Sequence, residues 1–380
     1  MKIVYCFHSL YHHGGVEKIL SVKTNYLVDK LGYDVYIITY NQQNKPVFFD
    51  FDQRIKIINL ELGELEFNSS NFLVRQFQNY NYNKKFIDVF SKLLNDIKPD
   101  ITISVGGSEF FILNKITDKS IKIAEYHVTI GAFDIINDNL SGLKKFFANL
   151  SFGKFKNNIK KYKKFIVLTK GDEKEWGEFS KNVISIPNPQ TFKADEVSTL
   201  KSKVAIAVGR FEPEKQFDHL IILWKDIIKK HPDWILKIKG SGGQKQYYLD
   251  LISENNLKDS VFIEDASSEM YDFYKNASIY LMASTFEGFS LVMLEAIECG
   301  LPIVAYNCKY GPSELVEDNI TGFLIKFQDK VEYYNSILKL IEDENLRIEM
   351  GKKAKIKAQN YQLDIVMNKW DSLFKELKND

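Results

Sequence analysis

Short, nearly uninterrupted apolar runs alternate along this chain with longer stretches in which apolar residues return every three or four positions. KIVYCF (2–7), VYIITY (35–40), IKIIN (55–59), ITISV (101–105), IKIAEY (121–126) and FIVLT (165–169) read as strands. Val16, Ile19, Leu20, Leu27 and Leu31 form one face of a helix after the first of them. A run with no polar alternation suits a strand covered on both sides, so the pattern predicts a mostly parallel sheet between helices. The rhythm breaks at NVISIPNPQTFK (182–193), where two prolines bracket Asn188 and stop regular structure from running through. It restarts with KVAIAVG (203–209), a helix near 215–230, WILKIKG (234–240), VFIED (261–265), SIYLMAS (278–284), PIVAY (302–306) and GFLI (322–325). Two helical stripes close it: Tyr333, Ile337, Leu340 and Ile341, then Val366, Trp370, Leu373 and Leu377. The expected fold is α/β, with two Rossmann-like doubly wound domains at 1–187 and 188–360 and a C-terminal helix at 361–380.

Length supports that division, since 380 residues exceed what one hydrophobic core usually organises. A net charge of +1 gives no global attraction to nucleic acid. Cys6, Cys299 and Cys308 are too scattered for a disulfide framework or a zinc site, which suits a reducing compartment. MKIVYCFHSL lacks a signal peptide's long apolar region, and no stretch reaches the ~18 apolar residues of a membrane span. A cytoplasmic location is expected.

In doubly wound folds ligands bind where strands end, so the loops after strands carry the candidate chemistry. Gly14 and Gly15 lie in such a loop just before a helix, where bare backbone lets a phosphate approach N–H groups. A tight turn alone would also use them, and GxGxxG is absent. Arg210 follows a strand directly, with Lys215 at the next helix start; Arg is rare among the 51 basic residues, and its use here suggests a forked phosphate contact. A surface ion pair is the plainer alternative. Gly240 and Gly242 mark another turn where backbone can meet a ligand or simply end a strand. In STFEGFSLVMLEAIECGLP (284–302), a helix starting near Gly288 puts Glu287 at its mouth and Glu295 two turns inside. Gly288, Phe289 and Ser290 then offer unpaired N–H groups, and sugar hydroxyls could satisfy Glu295; otherwise Glu287 caps the helix and Glu295 faces solvent. His8, His12 and His13 do not make a metal site, since adjacent histidines cannot share one helix face.

These residues resemble the retaining glycosyltransferases of family 4, or group 1, with GT-B architecture. The resemblance rests on VGR with its following Lys, the GxG turn, EGFSLVMLEA, CGLPIVA, GPSELV and NITGFLI, and more sparsely on GGVEK, His127 and IPNP. Gln216 and Phe217 depart from it where many members have Gly, as does Glu264-Asp265 before the base-binding loop. The resemblance implies two domains facing a central cleft, with the C-terminal helix crossing back to the N-terminal one. It implies that Arg210 and Lys215 bind the donor diphosphate with Gly15 near its phosphates, and that Glu295 holds the ribose. Glu287 and the backbone from Gly288 to Leu291 would hold the donor sugar or phosphate, and His127 would stand beside the transferred sugar. No metal or tightly bound cofactor is implied; the nucleotide-sugar, by expectation UDP-linked, is a co-substrate.

The segment 142–165 holds eight Lys, no acid and interspersed Phe and Tyr, which suits either an anionic membrane surface or a solvated helix packing its Phe side chains on the sheet. The expected activity is therefore a hexosyltransferase-type one, moving a sugar to a glycan or lipid-linked acceptor in the synthesis of cell-surface polysaccharide such as lipopolysaccharide or capsule. An epimerase or phosphorylase on the same fold, and a two-domain binding protein without chemistry, are the alternatives. Acceptor choice is expected to lie in loops such as 61–83 and 106–114.

Overall fold

The computed structural model describes residues 1–63, 72–133, 140–267 and 269–379. It divides into two units, Met1–Pro187 with Val366–Asp380, and Asn188–Ile365. Each is built on one parallel sheet.

The first sheet contains β1 (Lys2–Phe7), β2 (Asp34–Thr39), β3 (Lys56–Asn59), β4 (Ile101–Ser104), β5 (Ile121–Glu125), β6 (Lys164–Val167) and β7 (Val183–Ser185). Their order is β3-β2-β1-β4-β5-β6-β7. Ile3, Val4, Tyr5 and Cys6 are all fully buried, as an unbroken apolar run requires when both faces of a sheet are covered. The helices are α1 (Gly15–Asp29), α2 (Phe72–Ile97), α3 (Gly142–Ile159) and α4 (Lys170–Gly177). Strand order reverses at β1, which pairs β2 on one side and β4 on the other; the ends of β1 and β4 are therefore this sheet's switch point.

Before the prolines that break the rhythm at 182–193, Val183–Ser185 adds an edge strand through the register Phe165 to Val183. The expected loop at 61–83 is helical from Phe72, because Phe86, Phe90, Leu94 and Ile97 give α2 an apolar stripe that anchors its polar first half; 64–71 lies outside the described residues. Within 106–114 the chain forms short 3₁₀ turns at Ser108–Phe111 and Leu113–Lys115.

The second sheet contains β8 (Val204–Val208), β9 (Ile235–Gly240), β10 (Val261–Asp265), β11 (Ile279–Met282), β12 (Ile303–Asn307) and β13 (Gly322–Lys326), in the order β10-β9-β8-β11-β12-β13. Its switch point lies between β8 and β11. The helices are α5 (Phe217–Lys230), α6 (Lys245–Glu254), α7 (Tyr271–Lys275), α8 (Leu291–Glu298), α9 (Gly311–Leu315), α10 (Lys330–Glu342) and α11 (Glu344–Ala358). Leu220, Trp224 and Ile227 of α5 pack with Tyr333, Ile337 and Leu340 of α10 in one core. The last helix, α12 (Leu363–Asn379), returns to the first unit. There Tyr33 donates to Asp371 at 2.5 Å and Lys378 pairs with Asp100 at 3.1 Å.

Candidate functional site

In the second unit the switch point gathers the sequence-derived candidates from two strand ends. The loop after β8 passes Arg210, forms a 3₁₀ turn at Pro213–Lys215 and enters α5 through Gln216, whose φ of 49° is left-handed. That conformation favours glycine, which gives the departure at Gln216 a physical location. Lys215 donates to Glu287 Oε1 at 2.6 Å, and the Ser284 hydroxyl donates to the same oxygen at 2.8 Å. Both partners of the pair are largely buried. Thr285 N–H donates to the Glu214 carbonyl at 2.8 Å, so backbone as well as charge ties the loop after β8 to the loop after β11. Arg210 is different: its side chain is 72% exposed and donates to Glu214 at 3.0 Å, the surface ion pair that the plainer reading foresaw.

Gly240 and Gly242 have backbone reasons to be glycine. A Cβ on Gly240 would collide with the Gly209 carbonyl oxygen, and Gly242 adopts a φ of +146° against the Phe211 backbone. Phe211 N–H donates to the Ser241 carbonyl at 2.7 Å, stitching the ends of β8 and β9 together.

Helix α8 begins at Leu291 with Ser290 as its N-cap, not near Gly288. The correction follows from local geometry: Glu287 is held in a parallel bridge with Tyr310, so the chain stays extended past it. A Cβ on Gly311 would lie 2.6 Å from Glu287 Cβ, so only glycine permits this approach. Ser290 is 3% exposed, its side chain makes no cap, and its hydroxyl has no hydrogen-bond partner. Phe289 is buried beside Tyr361. Glu295 does not face solvent as the alternative supposed. It is buried and accepts from the Thr191 hydroxyl at 2.6 Å and the Tyr274 hydroxyl at 2.9 Å. The protein thus makes hydrogen bonds that the sequence reading assigned to sugar hydroxyls.

In the first unit Gly14 is the N-cap of α1, but the slot there already holds an acid. The Glu17 carboxylate folds back so closely that a Cβ on Gly14 would strike it, and burial raises the Glu17 carboxyl above its ordinary value. His127 stands two residues past β5, its Nε2 3.2 Å from Glu125 Oε1. Glu125 also accepts from Lys23 Nζ at 2.6 Å on each oxygen, and both residues are almost wholly buried. Burial alone would raise the Glu125 carboxyl; the Lys23 ammonium, then His127, outweighs it and holds the group at about 2. Lys23 lies 3.6 Å from the Trp370 ring centroid and 5.7 Å from that of Tyr5.

Two more buried carboxylates shape strand-end loops. Glu109 accepts from Tyr40 at 2.7 Å, Ser104 at 2.8 Å and Gly107 N–H at 2.9 Å, setting the loop after β4. Asp172 accepts from Thr129 at 2.9 Å, Ile130 N–H at 3.0 Å and Thr169 at 2.9 Å, setting the loop after His127. Burial raises both carboxyls. The sequence reading missed Glu17, Lys23, Glu109, Glu125 and Asp172. A signal for one pair existed: Lys23 interrupts the apolar stripe of α1, and Glu125 ends the apolar run of β5. The histidines of the first loop are separately engaged, His8 with Ser9 and Asn41, His12 against Tyr11, and His13 near Phe48. Among the described residues no three His, Cys, Asp or Glu side chains cluster as metal ligands.

Residues 189–357 match the family described as glycosyl transferases group 1. The second unit is a group 1 glycosyltransferase domain. Similarity extends beyond it: a Haemophilus influenzae protein named as an uncharacterized glycosyltransferase is 28% identical over 98% of this chain and 99% of its own length. The amylovoran biosynthesis glycosyltransferase AmsD of Erwinia amylovora is 26% identical over the same shares. A TarM variant of S. aureus, crystallised with fondaparinux, α-GlcNAc-glycerol and UDP, superposes with a TM-score of 0.77 at 18% identity, covering 98% of this chain and 99% of that one. That likeness speaks for the fold, which is GT-B. The chain is a glycosyltransferase of the hexosyl-transferring type, and the Erwinia relative is named for amylovoran biosynthesis.

Proposed function

We propose that this glycosyltransferase moves a sugar, with retention at the anomeric carbon, from a UDP-sugar to a hydroxyl of a glycan or lipid-linked acceptor in cell-surface polysaccharide assembly. The observation that carries it is the cluster at the β8/β11 switch point: Lys215 locked onto Glu287, Arg210 beside it, and the unpartnered Ser290 hydroxyl at the mouth of α8. A diphosphate supplies what each lacks. Arg210 exchanges an exposed pair worth at most about 1 kcal/mol for a forked phosphate contact. Lys215 and the first-turn N–H groups of α8 stabilise the charge that grows as the glycosidic bond breaks. With Oε1 of Glu287 occupied by Lys215 and Ser284, Oε2 is offered to a sugar hydroxyl. In the second unit Glu295 is assigned to the ribose; in the first unit His127 is assigned to the sugar and the backbone at Gly15 to a phosphate. Retaining chemistry by double displacement needs a carboxylate nucleophile on the far face. Glu287 is neutralised by Lys215 and Glu295 is buried against Thr191 and Tyr274, which makes both poor nucleophiles, so a front-face route, in which the departing phosphate takes the acceptor proton, fits better. UDP is favoured because it accompanies the TarM fold relative. The test is incubation with UDP-, GDP- and ADP-sugars, following nucleotide release and the anomeric configuration of the product by NMR. An inverted product, or release only in the presence of inorganic phosphate, would sink the reading.

A membrane-facing acceptor is favoured by α3. Phe155 and Ile159 are buried on the sheet side, yet Leu143, Phe146, Phe147 and Leu150 are 48–76% exposed at the other end of the helix. The segment thus splits between both sequence alternatives. Helices that follow strands of a parallel sheet start at its C-terminal edge, so this apolar end shares an edge with the loop that carries His127. Lysines add about 1 kcal/mol each on anionic lipid. No helix among the described residues is long and apolar enough to cross a membrane. The expected mode is peripheral, on the inner face. Flotation with anionic vesicles should be weakened by Phe146→Ser with Phe147→Ser at unchanged melting temperature, and weakened by Lys144→Gln with Lys145→Gln only at low salt. Parental protein that stays off such vesicles at low salt would refute it.

A further inference from the structure

We propose that Trp370 is a positioning residue for His127, acting from α12 through the buried Lys23–Glu125 pair. The chain of contacts is continuous within the first unit: ring to ammonium at 3.6 Å, ammonium to both carboxylate oxygens at 2.6 Å, carboxylate to imidazole Nε2 at 3.2 Å. It rests on the reading that His127 stands beside the transferred sugar.

A buried ammonium is tolerated only where a carboxylate and other electron-rich groups replace water. Lys23 has Glu125 on one side and the faces of Trp370 and Tyr5 on others, so its position is set in three directions. Stability does not explain the arrangement, since well-packed apolar residues in place of a buried ion pair usually hold a fold as well or better. A leucine at 370 would dock α12 through the same apolar stripe as Val366, Leu373 and Leu377. The open end of the contact chain supplies the explanation. An ionised, immobile Glu125 accepts Nε2–H of His127, which fixes the ring's orientation and, in the neutral tautomer that this contact selects, leaves Nδ1 as an acceptor. His127 then receives a sugar hydroxyl rather than donating to one. If Lys23 loses its aromatic wall, Glu125 can follow the ammonium away and the ring is released.

The test uses the full chain with ¹⁵N-labelled histidine, the His127 signals being assigned by their loss in His127→Ala. The parent should show the Nε2–H tautomer. Trp370→Leu should give a mixture, and Trp370→Phe, which keeps an aromatic face, should restore it. In transfer assays Trp370→Leu should lower kcat about 10- to 100-fold while donor KM moves by less than about 3-fold. Placed on His127→Ala, the same change should cost nothing more, because the two act in series. Should Trp370→Leu fail to fold, Lys23→Met combined with Glu125→Leu removes the charges and the acceptor at similar volume and should release the ring in the same way. A parental tautomer in a folded Trp370→Leu, or an equal loss of rate in the His127→Ala background, overturns the proposal. If His127→Ala transfers at the parental rate, the role of His127 at the sugar fails instead, and the tautomer measurement still decides whether Trp370 positions the ring.

Discussion

Arg210 and Lys215 were indistinguishable as sequence candidates, and the structure separates them. Arg210 is itself exposed and can swing away from the half-buried Glu214, whereas Lys215 is the counter-ion of a largely buried Glu287. Arg210→Ala should reduce kcat by about 100-fold with little change in melting temperature, and Arg210→Lys should recover little, because an ammonium cannot fork. Lys215→Ala should show a similar kinetic loss and also destabilise the fold by about 1–3 kcal/mol, since Glu287 is left buried without its cation. Kinetics and thermal melts on both variants check this; equal melting temperatures would contradict it. Ser290→Ala should behave in the opposite sense. Removing a buried hydroxyl that has no partner should be neutral or mildly stabilising, while UDP-sugar affinity falls by about 1 kcal/mol. Calorimetric titration beside a melt reads both quantities. Glu295 shows what spacing cannot reveal at this scale, because its partners Thr191 and Tyr274 lie far from it in sequence and arrive only through the fold.

Among the elements, those buried on both faces were legible because an unbroken apolar run has few alternatives; β1, β11 and the stripes of α10 and α12 lie where the pattern put them. Elements decided by context were not. The edge strand β7 has only three residues, and α8 starts late because Glu287 is already engaged with Tyr310. Between α1 and β5 the Lys23–Glu125 pair makes a prediction in pH. The Glu125 carboxyl, ordinarily near 4.5, is held at about 2, so its stabilisation is fully present above 4.5 and is lost as pH falls towards 2. Lys23→Met with Glu125→Leu should melt at or above the parental temperature at pH 7 and should lose that part of the acid slope. The difference between the two melting curves from pH 6 to pH 2 measures it; parallel slopes would refute the assignment.

At the scale of the molecule, two separate parallel sheets predict two cooperative transitions rather than one. UDP at about 100 times its dissociation constant should raise the transition of the second unit by about 2.7 kcal/mol. Ending the chain after Ile365 should lower the transition of the first unit and leave UDP affinity intact, since α12 packs there through Asp371, Lys378 and Trp370. Scanning calorimetry of both forms, with and without UDP, tests this; loss of UDP binding on truncation would contradict it. The two sheets could be read from rhythm alone. The company that α12 keeps could not, because an apolar stripe says that a helix is buried without saying against what.

The return of α12 has a consequence for how this protein is made. A ribosome delivers domains in order, and an amino-terminal one ordinarily closes while the rest is still being translated. Here Lys23 and Glu125 emerge early, but the ring that walls them in is encoded beyond the whole of the second unit. The unit begun first is completed last, so during translation its buried charges wait for Trp370.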